Sequence, residues 1–257
     1  ATRGQLLRAH AAGLLEAVLA TKPAARMLLD PDTVLSPASA EAALRAAGAG
    51  VAAVDAVLAG PDARAFCAVR PPGHHATHDV AMGFCLFNGI AVAALHALEA
   101  HGLERVAIVD FDVHHGNGTQ AIFEQDRRVL FASSHQWPLY PGTGARNETG
   151  VGNIVNAPLP PNADGTQFRA AWSSLLLPAV AAFRPQLLLV SAGFDGHRRD
   201  PLAELQLEAA DFGWLSRELV QLANRHCGGR IVSMLEGGYD LQGLAESSVA
   251  HVRELLA

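Results

Sequence analysis

Short apolar runs alternate along this chain with longer stretches whose apolar residues recur at helical spacing. GQLLRAHAAGLLEAVLA (4–20), ASAEAALRAAGAGVAAVDAVLAG (38–60), NGIAVAALHALEAHG (88–102), QFRAAWSSLLLPAVAAF (167–183) and EAADFGWLSRELVQLANRHC (208–227) predict helices. Ser39 and Glu41 give the second an acidic, capped start, and Gly102 ends the third. AFCAV (65–69), RVAIVDFDV (105–113), RVLFASS (128–134), PQLLLVSAG (185–193) and RIVSMLEGG (230–238) predict strands. Their nearly continuous apolarity, without strict alternation, is that of strands covered on both faces. Strand–helix alternation implies an α/β fold with a parallel sheet and right-handed crossovers. No repeat, low-complexity tract or long polar linker interrupts the pattern, so residues 1–257 read as one domain.

Composition narrows the picture. At 257 residues, half of them hydrophobic, the chain has length and apolar content for a large core. No unbroken apolar run reaches the roughly 18–20 residues of a membrane span, and the first residues lack the layout of a secretory signal. A net charge of −6 argues against a phosphate-binding face. Neither a membrane nor a nucleic acid is therefore expected as a partner. Cys67, Cys85 and Cys227 form no C-x-x-C pair, which fits a reducing, cytoplasmic setting.

Histidine is the surplus residue, with twelve copies and two HH pairs. The chemistry-bearing residues follow the predicted strands: RPPGHHATH after AFCAV, DFDVHHGNG after RVAIV, FDGHRRD after LLLVSAG and LEGGY after RIVSM. In parallel sheets ligands bind beyond the carboxyl ends of strands, so these loops should meet on one rim. Asp112 and His114, two apart in extended chain, face the same way, with Asp110 one step deeper. Asp195 offers a third ligand. Two carboxylates and one imidazole leave a coordination position open, the pattern of a catalytic metal rather than a structural one. The competing interpretation makes Asp110 and Asp112 turn caps.

His74 and His75, on a turn stiffened by Pro71 and Pro72, suit proton transfer beside a metal, with Asp110 and Asn117 as orienting partners. An Asp partner raises imidazole basicity and an Asn partner does not, so the two should differ in protonation. Tyr239, after two glycines, could donate to an oxyanion or simply pack. Phe84 and Tyr140 could wall a channel or pack. His197 reads as structural, and neither a dinucleotide fingerprint nor a G-x-S-x-G elbow is present.

Taken together, RPPGHHA, GFCLFNGIAVAA, VDFDVHHGNGTQAIF, SSHQWPLYPGTG, SAGFDGHRRDPLA and LEGGYDL, spanning 70–241, resemble the histone deacetylase superfamily, and its class II and bacterial members more than class I. The resemblance implies an arginase/deacetylase-like three-layer fold with a mostly parallel sheet of about eight strands. It implies a zinc-dependent amidohydrolase acting on acylated amines, acetyl-lysine in proteins or peptides or, alternatively, acetylated polyamines. Asp112, His114 and Asp195 then match the metal ligands. His74, His75, Asp110, Asn117 and Tyr239 match the catalytic set, with His75 the main acid and base. Gly83, Phe84 and Tyr140 match the channel, and Asp32 the rim aspartate that holds substrate. Potassium is implied near Asp110, Asp112, His114 and Ser133. Ferrous iron in place of zinc, a binuclear manganese hydrolase sharing the fold, and a non-catalytic acyl-amine binder stay open. So does the oligomeric state. The family's usual first strand and HPE-type rim loop are not found before ATRGQLLRAH.

Overall fold

The structure, a computed structural model, describes residues 1–257. At its centre six strands pair in parallel: β3 (Arg64–Cys67), β4 (Val106–Asp110), β5 (Val129–Gln136), β6 (Ile154–Leu159), β7 (Leu187–Ala192) and β8 (Ile231–Leu235). They lie in the order β3-β8-β7-β4-β5-β6. Two short strands, β1 (Met27–Leu28) and β2 (Val34–Leu35), pair only with each other. The main sheet therefore has six strands, not about eight.

The strands alternate between two cores, as period-two side chains must. Val106, Ile108, Leu187 and Leu189 belong to one apolar cluster. That layer is built with α1 (Arg3–Leu6), α2 (Ala12–Leu19), α3 (Ser39–Ala59), α4 (Gly89–Ala100) and α5 (Asn117–Phe123). Ala107, Val109, Leu188 and Val190 belong to the other. It is built with α6 (Gly165–Ala171), α7 (Leu177–Phe183), α8 (Ala209–His226) and α9 (Leu241–Leu256) around Trp172, Phe168 and Phe212. Apolar coverage of both faces is why the strand sequences read as unbroken.

Several elements depart from the periodicity. The predicted helix over 4–20 is broken at His10. That ring bridges the Thr77 carbonyl (2.8 Å) and the Asn88 N–H (2.8 Å), and the Ala11 N–H is spent on the His78 carbonyl. The helix over 167–183 passes through a π-helical turn at Trp172–Leu176, where the Leu177 N–H reaches the Trp172 carbonyl. This turn sits beside Pro178, which has no N–H to give. α3 is 21 residues long and apolar enough, by length and composition, to cross a membrane, although Glu41, Arg45 and Asp55 break its apolar run. Here it packs along α4 and against β3 and β8.

Candidate functional site

Each parallel strand ends on the same rim, so the loops after β3, β4, β5, β7 and β8 converge. The ligand-type atoms of Asp112, His114 and Asp195 lie within 4.8 Å of one another. His114 Nδ1 is 3.2 Å from Asp112 Oδ1 and 3.0 Å from Asp195 Oδ2. Both carboxylates are aimed by backbone donors: the Gly237 N–H reaches Asp112 Oδ2 at 2.8 Å and the Val113 N–H reaches Asp195 Oδ1 at 2.9 Å. Gly193 permits this approach, since a Cβ there would collide with the Asp112 carboxylate.

Burial pushes Asp195 up to about 7, with the neighbouring Asp112 adding to the rise, whereas for Asp112 the His74 and His114 rings overcome burial and hold its carboxyl well below the usual range. Burial also opposes charge on His114, but bonds to Asp112 and Asp195 outweigh it and raise its pKa to about 10. Two buried carboxylates and one imidazole fit a divalent ion with a free coordination position.

The tandem histidines stand beside this group. His74 Nδ1 lies 2.9 Å from Asp110 Oδ2, and His75 Nδ1 lies 2.8 Å from Asn117 Oδ1. Burial disfavours charge on both. For His74 the Asp110 and Asp112 carboxylates overcome it and hold the pKa well above the usual value. For His75 burial and the adjacent His74 hold it well below. Gly83, at φ +57°, passes the His75 ring so closely that a Cβ would strike it.

A cavity of about 240 Å³ opens over these groups, with Phe84, Tyr140 and Tyr239 in its wall. The Tyr140 ring stands nearly perpendicular to His75 at 5.2 Å, and Phe84 packs edge-on to Tyr239 at 5.8 Å. Burial, then Asp195 and Asp112, raise the Tyr239 pKa, so its phenol keeps its proton. Asp32 reaches the rim and accepts the Gly83 N–H at 3.1 Å, while Thr33 Oγ1 accepts the Phe84 N–H at 3.1 Å. Ser133 pairs in register with Asp110, and its hydroxyl is 3.0 Å from His135 Nδ1. The residues expected from the sequence are thereby gathered around one cavity, with Asp110, Asn117, Ser133 and Asp195 behind its lining.

Sequence reasoning passed over three supporting residues. Asp200 accepts the Tyr239 N–H at 2.7 Å, Thr33 holds Phe84, and Glu236 sits beneath the His74 turn. Only Glu236 had a sequence signal, an acidic residue at the end of a buried strand.

A second group, Asp55 on α3, His96 on α4 and His101 just past the end of α4, has metal-like spacing. Asp55 Oδ1 is 2.7 Å from Nε2 of each histidine. Arg8 Nη1 lies 2.9 Å from His96 Nδ1. A guanidinium only donates, so the His96 proton sits on Nε2 and is given to Asp55. With no free lone pair at that nitrogen, the group is a clasp between helices.

The comparisons agree with this geometry. The profile described as "Histone deacetylase domain" matches residues 1–255. "Histone deacetylase-like amidohydrolase" of Pseudomonas aeruginosa is 43% identical over 255 residues, covering 97% of this chain and 67% of the relative. "Histone deacetylase 14, chloroplastic" of Arabidopsis thaliana is 44% identical over 222 residues, 83% of this chain and 52% of the relative. The chain thus spans about half the length of that plant relative. Among solved structures, "Crystal Structure of HDA15 HD domain" superposes with a TM-score of 0.94 at 40% identity, covering 99% of this chain and 72% of that one. In sequence, in fold and in the placement of its buried Asp–His–Asp group, this chain belongs to the histone deacetylase domain family.

Proposed function

We propose that this chain hydrolyses acylated amines, removing acetyl groups from acetyl-lysine in proteins or peptides with the help of one zinc ion. The observation that carries the reading is the set Asp112, His114 and Asp195 at a cavity that also exposes His75 and Tyr239. The names of the two relatives, a deacetylase and an amidohydrolase, support it.

Asp112, His114 and Asp195 would hold the ion, which when bound supplies Lewis acidity to the amide carbonyl and to water. The chain's own residues do the rest. His75, with Nδ1 committed to Asn117, has Nε2 left for the cavity and is neutral near pH 7. It takes a proton from the attacking water and returns it to the departing amine. His74, kept protonated by Asp110, contributes positive charge and no proton. The Tyr239 phenol donates to the carbonyl oxygen as negative charge develops there. Phe84 and Tyr140 admit a slender, uncharged chain and exclude water. Potassium near Asp110, Asp112, His114 and Ser133 belongs to the same proposal.

Turnover of an acetyl-lysine peptide and of acetylputrescine by the zinc-loaded protein tests the reading. Higher kcat/KM on the peptide supports it, and preference for acetylputrescine moves the substrate to small acylamines. Inertness on both overturns it.

A further inference from the structure

Glu236 is 2% exposed, at the end of β8 and three residues before Tyr239. It does not line the cavity. Its Oε2 accepts the Gly73 N–H at 2.6 Å and the His74 N–H at 3.2 Å. Its Oε1 accepts the Ser191 hydroxyl at 3.0 Å, and its own N–H reaches the Ala192 carbonyl at 3.0 Å. One carboxyl group therefore ties together the His74–His75 turn after β3, the β7 end that leads to Asp195, and the β8 loop that leads to Tyr239. A buried carboxyl is costly and is retained where its bonds matter. The Gly73 and His74 N–H groups of the turn have no other hydrogen-bond partner.

We infer that Glu236 is a positioning residue, setting where the tandem histidines stand relative to Asp112, His114 and Asp195. It touches no substrate. The inference rests on the deacetylase reading for its consequence in turnover, though the geometry it describes does not. A misplacement of about 1 Å at such a turn can cost on the order of 100-fold in rate.

Two substitutions separate reach from charge. Glu236→Gln keeps the length: its carbonyl oxygen can accept both turn N–H groups while its amide donates to Ser191. Glu236→Asp keeps the charge but withdraws the carboxylate by one methylene. Both are read as folded, zinc-loaded protein, by kcat and KM and by amide hydrogen exchange of the segment 70–78. Positioning predicts Glu236→Gln within about threefold of wild type. It predicts Glu236→Asp down roughly 10- to 100-fold in kcat with KM little changed, and faster exchange at Gly73 and His74. Ser191→Ala, which removes only the Oε1 partner, should fall between them.

An active Glu236→Asp beside an impaired Glu236→Gln would show that charge rather than reach matters and would overturn the inference. Equal impairment of both, or exchange unaltered in Glu236→Asp, would also overturn it. If wild type turns over no acylated amine, the deacetylase reading fails, while the exchange measurement still decides the role of Glu236.

Discussion

The imidazoles of His74 and His75 lie 4.1 Å apart, centroid to centroid, and the fold holds them in opposite protonation states. Two imidazolium ions at that spacing would repel strongly in a buried site. The conflict is resolved by what each ring has behind it: the Asp110 carboxylate for His74 and the uncharged Asn117 amide for His75. Asn117→Asp removes that asymmetry. The expected outcome is a His75 pKa moved upward, so the acid limb of the kcat/KM profile shifts to higher pH and activity near pH 7 falls. An unmoved acid limb, measured between pH 5.5 and 9, would take His75 out of the general-base role.

Tyr239 is the next test. Burial and the nearby Asp195 and Asp112 carboxylates keep its phenol protonated, so it can only donate. Tyr239→Phe retains the ring that packs on Phe84 and loses the donor. Removing one oxyanion donor typically lowers kcat by about 100-fold or more, and the same is expected here with zinc content unchanged. Near-normal kcat in the zinc-loaded variant would reduce Tyr239 to a wall of the channel.

Asp195 separates metal binding from folding. Its removal leaves Asp112 and His114, which make a poor site, so Asp195→Ala should purify without zinc and without turnover. Chelation should lower the Tm of the wild type and leave that of Asp195→Ala unchanged. Ligand at 100 times its Kd stabilises by about 2.7 kcal/mol, which for a chain of this size is roughly 5–10 °C. Stoichiometric zinc in Asp195→Ala, measured by elemental analysis, would remove this residue from the ligand set.

The site was readable before the fold because its residues sit at strand ends, where apolar runs stop abruptly at His, Asp and Gly. Asp112 and His114 announce themselves by spacing, and Asp195 by following another buried run. What escaped depends on contacts distant in sequence. β6 was unread because Pro158 and the polar Asn156 dilute its pattern; Pro158 is tolerated because β6 is an edge strand. α9 was unread because its apolar residues share the helix with serines and charges. Asp200 was missed because its partners are backbone N–H groups many residues away; the place of Glu236 after a buried strand marks it, but not the distant N–H groups it holds. The break at His10 has the same origin.

His251 carries the last prediction. It lies fully buried between the Ser216 hydroxyl at 2.6 Å and the Ser233 hydroxyl at 2.8 Å, with Phe66, Phe111 and Phe194 around the ring. Burial pushes its pKa down to about 4. In the unfolded chain a histidine titrates near 6.5. Between those values the unfolded chain binds the extra proton, so this residue's contribution to stability is complete above pH 6.5 and is lost as pH falls toward 4. The limiting slope is about 1.4 kcal/mol per pH unit. Asp195 and Glu236, both raised to about 7, titrate in the opposite sense and would mask it in the wild type alone. The difference in unfolding free energy between wild type and His251→Gln cancels them. Urea unfolding of the chelated proteins at pH 7.5, 6.5, 5.5 and 4.5 should show that difference constant down to pH 6.5 and then shifting steadily in favour of the variant. A difference that stays constant to pH 4.5 would mean that His251 accepts its proton inside the fold without penalty.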